Sequence, residues 1–121
     1  MSLEEVTSFP LLANPKGTML RDTLESAFRS VNKEVAPSQE AYNSLTLVGL
    51  VKAGHGVTIL PRTALSGLEL THCRKIRIRQ HVSRDVGIVR ATGRSESPAA
   101  AVFRQFIQTE APTFAAALQI S

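Results

Sequence analysis

The sequence predicts an α/β fold with a mostly parallel central sheet flanked by helices, and three observations predict it. Strand-like and helical segments alternate over residues 9–61, which is the rhythm of a parallel sheet with crossover helices. Within residues 44–61 a helical pattern, a glycine stop and a short apolar strand follow one another directly. That last strand, Val57, Thr58, Ile59 and Leu60, lies between two helical patterns, as expected of a strand covered on both faces.

From the start, Ser2 and Glu5 stand at capping-box spacing and predict a helical turn over 3–7, although Met1, Ser2 and Leu3 fit vector-derived residues equally. Residues 9–13 form a compact apolar run interrupted by Pro10, which fits the beginning of a strand. The break at Asn14-Pro15-Lys16-Gly17-Thr18 precedes a helix opened by Gly17 or Thr18. Its apolar positions Met19, Leu20, Leu24, Ala27, Phe28 and Val31 recur at three and four, and Asn32 and Lys33 end it. Residues 34–40 contain Pro37 and no helical period, so an extended segment with a short strand near Val35 is expected. Ser44 is placed to cap the next helix, whose face of Leu45, Val48 and Val51, with Leu47 and Leu50 beside it, should be buried. Gly54 stops that helix, and Gly56 turns the chain into the apolar strand ending at Pro61.

Beyond Pro61, one helical turn is expected over 63–66, released by Gly67. Residues 68–80 are strand-like and basic, and Val86, Ile88 and Val89 predict another strand that runs out at Gly93. Ser97-Pro98 is a helix start, a capping serine before proline at the first helical position. Ala101, Val102, Phe103, Phe106 and Ile107 give that helix its apolar face, and it should stop near Thr109 because Pro112 lacks the N–H a helix interior needs. The tail from Thr113 is apolar and uncapped, open to a loose helical extension.

A chain of 121 residues suits one small core, and its apolar share of 43% with 20% charged residues separates it from disordered polypeptides. No apolar run reaches a membrane-spanning length, and no secretory signal is visible, so a cytoplasmic location is expected. Cys73 is the single cysteine, which rules out an internal disulfide and suits a reducing compartment. The net charge of +4 is local: residues 1–70 hold six Lys/Arg against seven Asp/Glu, and residues 71–121 hold eight against three. Arg74, Lys75, Arg77 and Arg79 alternate with Ile76 and Ile78. That pattern fits a strand with one solvated face, or else a nucleic-acid footprint; no aromatic residues are interleaved to stack on bases.

In an open α/β sheet, ligands collect outside the carboxyl ends of the strands. Residues 14–18 occupy such a place, because the first N–H groups of a helix lack partners and carry partial positive charge suited to an anion. Gly17 permits close approach and Thr18 adds a hydroxyl. Asn43 lies alongside if its strand is a neighbour. Ordinary helix capping is the competing reading of the same residues.

The run Leu47-Val48-Gly49-Leu50-Val51-Lys52-Ala53-Gly54-His55-Gly56-Val57-Thr58-Ile59-Leu60-Pro61 closely resembles the segment of the form LVxxGxGxxxLP found in the effector-binding domain of LysR-type transcriptional regulators. Flanking segments follow the family's order over about residues 3–110. The resemblance implies one lobe of a periplasmic-binding-protein-like (type II) fold. Residues 1–92 would form the second lobe, and residues 93–121 a helix and tail that return to the first lobe. It further implies a small effector, a carboxylate or other anion, held between the lobes by Asn14, Lys16, Gly17, Thr18, Met19 and Asn43. Arg21 and Tyr42 are nearby candidates. DNA would be bound by a helix-turn-helix module that this chain lacks, not by these residues directly, and homo-oligomers are expected.

Other chemistry is not indicated. His55, His72 and His81 make no metal-ligand spacing with Cys73 or with paired carboxylates. Gly54-His55-Gly56 lacks the Lys-Ser/Thr of a phosphate-gripping loop and precedes a strand. No nucleophile elbow or acid/base pair stands out, so neither an enzyme nor a cofactor is expected. Two alternatives remain: a solute-binding protein of the same fold working in transport, and a small basic nucleic-acid-binding protein resting on residues 74–79.

Overall fold

The computed structural model describes residues 1–120. They fall into two compact units, Met1–Arg84 and the residues from Asp85 onward.

The first unit opens with α1 (Leu3–Val6). The Ser2 hydroxyl accepts from the Glu5 N–H at 3.2 Å and the Glu5 carboxylate accepts from the Ser2 N–H at 2.6 Å, the reciprocal cap its sequence encodes. There follow β1 (Leu11–Ala13), α2 (Met19–Arg29), β2 (Gln39–Glu40), α3 (Ser44–Lys52), β3 (Val57–Thr58) and α4 (Arg62–Leu65). The strands form one sheet in the order β2-β1-β3. Both pairings are parallel, with Leu12 opposite Gln39 on one side and opposite Thr58 on the other.

Successive strand residues point to opposite faces, and β1 buries all three of its own. Leu11 and Ala13 join Leu24 and Phe28 of α2, with Leu3 and Val6 of α1, in one apolar cluster. Leu12 has the opposite parity and is buried too, and α3, which packs on β1 and β3, contributes the buried Leu47 and Val48. Burying side chains of this size stabilises by about 1.5–3 kcal/mol each. The carboxyl ends of all three strands therefore share one edge.

Several expectations need correction. The second strand lies at Gln39–Glu40 and not near Val35. Only where the chain runs beside the end of β1 does it find a ladder partner, and the Ser38 N–H already donates to the Leu11 carbonyl at 2.8 Å. The cap of α3 is Asn43, whose side-chain oxygen accepts from the Leu45 N–H at 2.7 Å; Ser44 is the first helical residue. Leu45 is 62% exposed, since α3 turns Leu47 and Val48 inward instead. Met19, counted in the apolar face of α2, is also exposed, and Arg21 is buried in its place.

No ladder forms over 68–80 or 86–93 among the described residues. The first of these segments lies along the N-terminus, where the Arg79 N–H donates to the Met1 carbonyl at 2.9 Å, and Ile78 and Val82 pack on the core cluster. In the second, Val86, Ile88 and Val89 are exposed and have no neighbouring strand. Strand propensity without a partner does not make a sheet.

The turn before β3 is fixed by a close approach. A Cβ on Gly56 would collide with the Pro10 carbonyl oxygen, and the φ of +153° is one that L side chains rarely adopt. That same carbonyl accepts from the Val57 N–H at 2.9 Å, which registers β3 against the start of β1.

The second unit is built on α5 (Pro98–Ile120). The Ser97 hydroxyl accepts from the Ala100 N–H at 3.2 Å, as a capping serine should. The predicted stop near Thr109 is wrong: the helix continues through Pro112. Ala111, Ala115, Ala116 and Ala117 surround that proline, and alanine is the strongest helix former. Arg104 grips Glu96 with Nε and Nη2 at 3.0 Å each, tying the approach segment to the helix. This hydrogen bond to Arg104 holds the Glu96 carboxyl below the usual glutamate range, and Glu96 in turn raises the Arg104 guanidinium.

Candidate functional site

The sheet edge at the carboxyl ends of β1 and β2 carries the residues singled out by the sequence. Leaving β1, the chain turns at Asn14, whose side chain is nearly inaccessible to solvent. Its amide nitrogen donates to the Ala41 carbonyl at 3.0 Å and to the Tyr42 carbonyl at 3.1 Å. A buried amide must find partners, and these two carbonyls lie in the segment leading from β2 into α3. One side chain thus joins the entrance of α2 to the entrance of α3, and the loops of Asn14 and Asn43 stand at the same end of the sheet.

Thr18 caps α2, its hydroxyl accepting from the Arg21 N–H at 3.3 Å and donating to the Pro15 carbonyl at 2.8 Å. Gly17, with φ of +86°, supplies the left-handed residue of the loop and meets open space where a Cβ would be. Lys16 and Gly17 are exposed, Thr18 is half-buried, and Met19 opens α2 at the surface. Asn43 and Tyr42 are exposed at the corresponding entrance of α3. Thr58 reaches this edge from β3, its hydroxyl donating to the Leu12 carbonyl at 2.9 Å.

Arg21 was a neighbouring candidate, and the structure buries it beneath the loop, 2% exposed. Its Nε donates to Glu25 at 2.8 Å, and its Nη1 donates to Glu40 at 2.7 Å and to the Asn14 carbonyl at 3.0 Å. Such a residue is hard to find from sequence, because an arginine one turn from a helix start reads as solvated. The available clue was Glu25 four residues on, at ion-pairing distance along the helix.

Chemically, this edge offers peptide N–H groups at two helix entrances, a flexible lysine and a rim of exposed apolar side chains. Among the described residues no group of three His, Cys, Asp or Glu is arranged to hold a metal ion. A separate recess of about 580 Å³ lies within the second unit, lined by Val89, Arg90, Arg94, Phe103 and Ile107 among others. Its Arg104 is already engaged by Glu96, and it contains none of the predicted site residues.

Comparison with known proteins gives two findings. Residues 1–112 match the family described as LysR substrate binding domain. The chain is 32% identical over 108 residues, 88% of its own length, to a Bacillus subtilis (strain 168) protein named uncharacterized HTH-type transcriptional regulator YybE. The matched part is 36% of that relative, so the chain spans about a third of its length. No solved structure matches.

Proposed function

Because this chain belongs to the LysR substrate binding domain family, with a fold like that of type II periplasmic binding proteins, we propose that it is the effector-sensing part of a bacterial transcription regulator. In this reading a small anionic metabolite, a carboxylate or similar group, binds where α2 and α3 begin. Gly17 and Met19 present N–H groups, Thr18 caps α2 and holds the loop through Pro15, Lys16 adds charge, Asn14 holds the two entrances together, and Asn43 caps α3. The ligand is sensed and left chemically unchanged.

The observation that carries the proposal is the pair of hydrogen bonds from Asn14 to Ala41 and Tyr42. They tie together two helix N-termini that the parallel strands set at one edge, and two neighbouring sets of peptide donors suit an anion better than either alone. The exposed Met19, Tyr42 and Leu45 around that edge suit a second lobe closing over the ligand. Closure driven by a ligand requires unequal affinity for the open and closed states, and the difference is passed to a helix-turn-helix module of the longer cytoplasmic, homo-oligomeric protein.

The test is a thermal-shift titration of the full-length regulator, wild type and Thr18→Val, against a panel of small carboxylates. We expect at least one carboxylate to raise the melting temperature of the wild type, and the variant to lose that gain while folding normally. An equal gain in both proteins overturns the site. An encoded upstream segment carrying a secretory or lipoprotein signal instead of a helix-turn-helix would assign the domain to transport.

A further inference from the structure

We infer that Arg21 is the positioning residue of this site: it locks the Asn14 loop to the end of β2, so that the entrances of α2 and α3 keep a fixed spacing. The inference deepens the function proposed above and rests on it.

A guanidinium with 2% of its surface exposed must be paired, and the pairing here is a closed circuit. From Nη1 of Arg21, one bond runs to the Asn14 carbonyl at 3.0 Å and another to Glu40 at 2.7 Å. The Asn14 side chain reaches Ala41 at 3.0 Å, and Ala41 follows Glu40 in the chain. The circuit therefore passes from α2 to the end of β1, across to the end of β2, and back to α2. Nε on Glu25 at 2.8 Å anchors the guanidinium to its own helix.

Burial of an ion pair is a poor source of stability, because the cost of desolvating both charges offsets most of their attraction. What the pair supplies is orientation. The planar fork of arginine holds an oxygen at each of several fixed directions, which the single ammonium of lysine does not reproduce. With Nε and Nη1 committed, Arg21 acts on the ligand through Asn14 and the two loops, not by touching it. Glu40 is 43% exposed on the strand end, so a disturbance there is carried to Asn14 through one guanidinium nitrogen.

The test is amide NMR of this chain as wild type, Arg21→Lys and Glu40→Gln, each titrated with acetate as the simplest carboxylate. In Arg21→Lys, the Asn14 side-chain amide and the Leu45 N–H should move together, and the acetate response of Gly17 and Thr18 should weaken roughly tenfold. Glu40→Gln should move the same Asn14 resonances with arginine still present, and this variant decides the matter if Arg21→Lys does not fold. Unmoved Asn14 and Leu45 resonances in a folded variant, or wild-type acetate affinity in Arg21→Lys, overturn the inference. If acetate moves neither Gly17 nor Thr18 in the wild type, the site itself fails, while the Asn14 and Leu45 resonances still decide whether Arg21 spans the loops.

Discussion

Nη1 of Arg21 donates to the backbone carbonyl of Asn14 at 3.0 Å, and the side chain of the same Asn14 reaches across to the segment that leads from β2 into α3. Replacing the arginine by methionine keeps the stem that packs in the core and removes the fork. The Asn14 carbonyl is then buried without a donor, whereas Glu25 and Glu40, 33% and 43% exposed, can rehydrate. Arg21→Met should therefore cost about 2–3 kcal/mol in urea unfolding. Glu25→Gln and Glu40→Gln, each with access to water, should cost under about 1 kcal/mol.

Gly56 tests the registration of β3. An alanine there meets the Pro10 carbonyl, which is backbone and cannot rotate aside. We expect Gly56→Ala to destabilise by about 2–4 kcal/mol. Gly54→Ala is the control, because its φ of +81° carries the left-handed penalty with nothing within 4 Å. That change should cost about 1–2 kcal/mol. Equal losses in the two variants would remove the close approach from the explanation.

The two helix caps at the sheet edge separate stability from sensing. Thr18→Val and Asn43→Ala each remove an oxygen that accepts from a backbone N–H of the first turn. Each should lower stability by about 1 kcal/mol, read as a shift of the urea midpoint with unchanged slope. A loss several times larger would mean that the loop, and not only its cap, depends on these side chains.

The Glu96–Arg104 pair gives the second unit a pH dependence of definite sign. Its hydrogen bonds to Arg104 lower the Glu96 carboxyl below the ordinary value of 4.5. The stabilisation is therefore complete above that ordinary value and is lost as pH falls through the lowered one. Helicity by circular dichroism should decline in that acid window and hold steady above it. Glu96→Gln should flatten the decline, and an unchanged acid transition in that variant would exclude this pair as its source.

Pro112 sits inside α5, where it removes one backbone hydrogen bond. Pro112→Ala should strengthen the helix, with a gain of up to about 3 kcal/mol appearing as a steeper helical signal and a later thermal transition. No change would mean that the helix around this proline already tolerates the missing bond at little cost.

Helix starts were the most legible features of the chain, because a cap is a local event. Ser2 with Glu5 and Ser97 with Pro98 each act within four residues and appear where the sequence places them, and of Gly17 and Thr18, both offered by the sequence, Thr18 is the cap. The error at Ser44 is instructive for the same reason: Asn43 and Ser44 are both good caps, one residue apart, and in the folded chain Asn43 takes the role. Strands fared worse. The basic run 68–80 and the segment around Val89 alternate as strands do, yet a ladder needs a neighbour, and no local pattern says whether one is present.

By itself, the order of residues determined the α/β character, the parallel rhythm of strand and helix, and the loops at which a ligand is expected, since periodicity and caps depend on near neighbours. It also determined the family resemblance, carried by the run from Leu47 to Pro61. Only the tertiary structure decided that Arg21 turns inward, that Asn14 spends its amide on Ala41 and Tyr42, and that Leu45 stays at the surface. Those outcomes follow from which groups remain unsatisfied once distant segments meet, and a buried carbonyl recruits whatever donor the fold brings within reach.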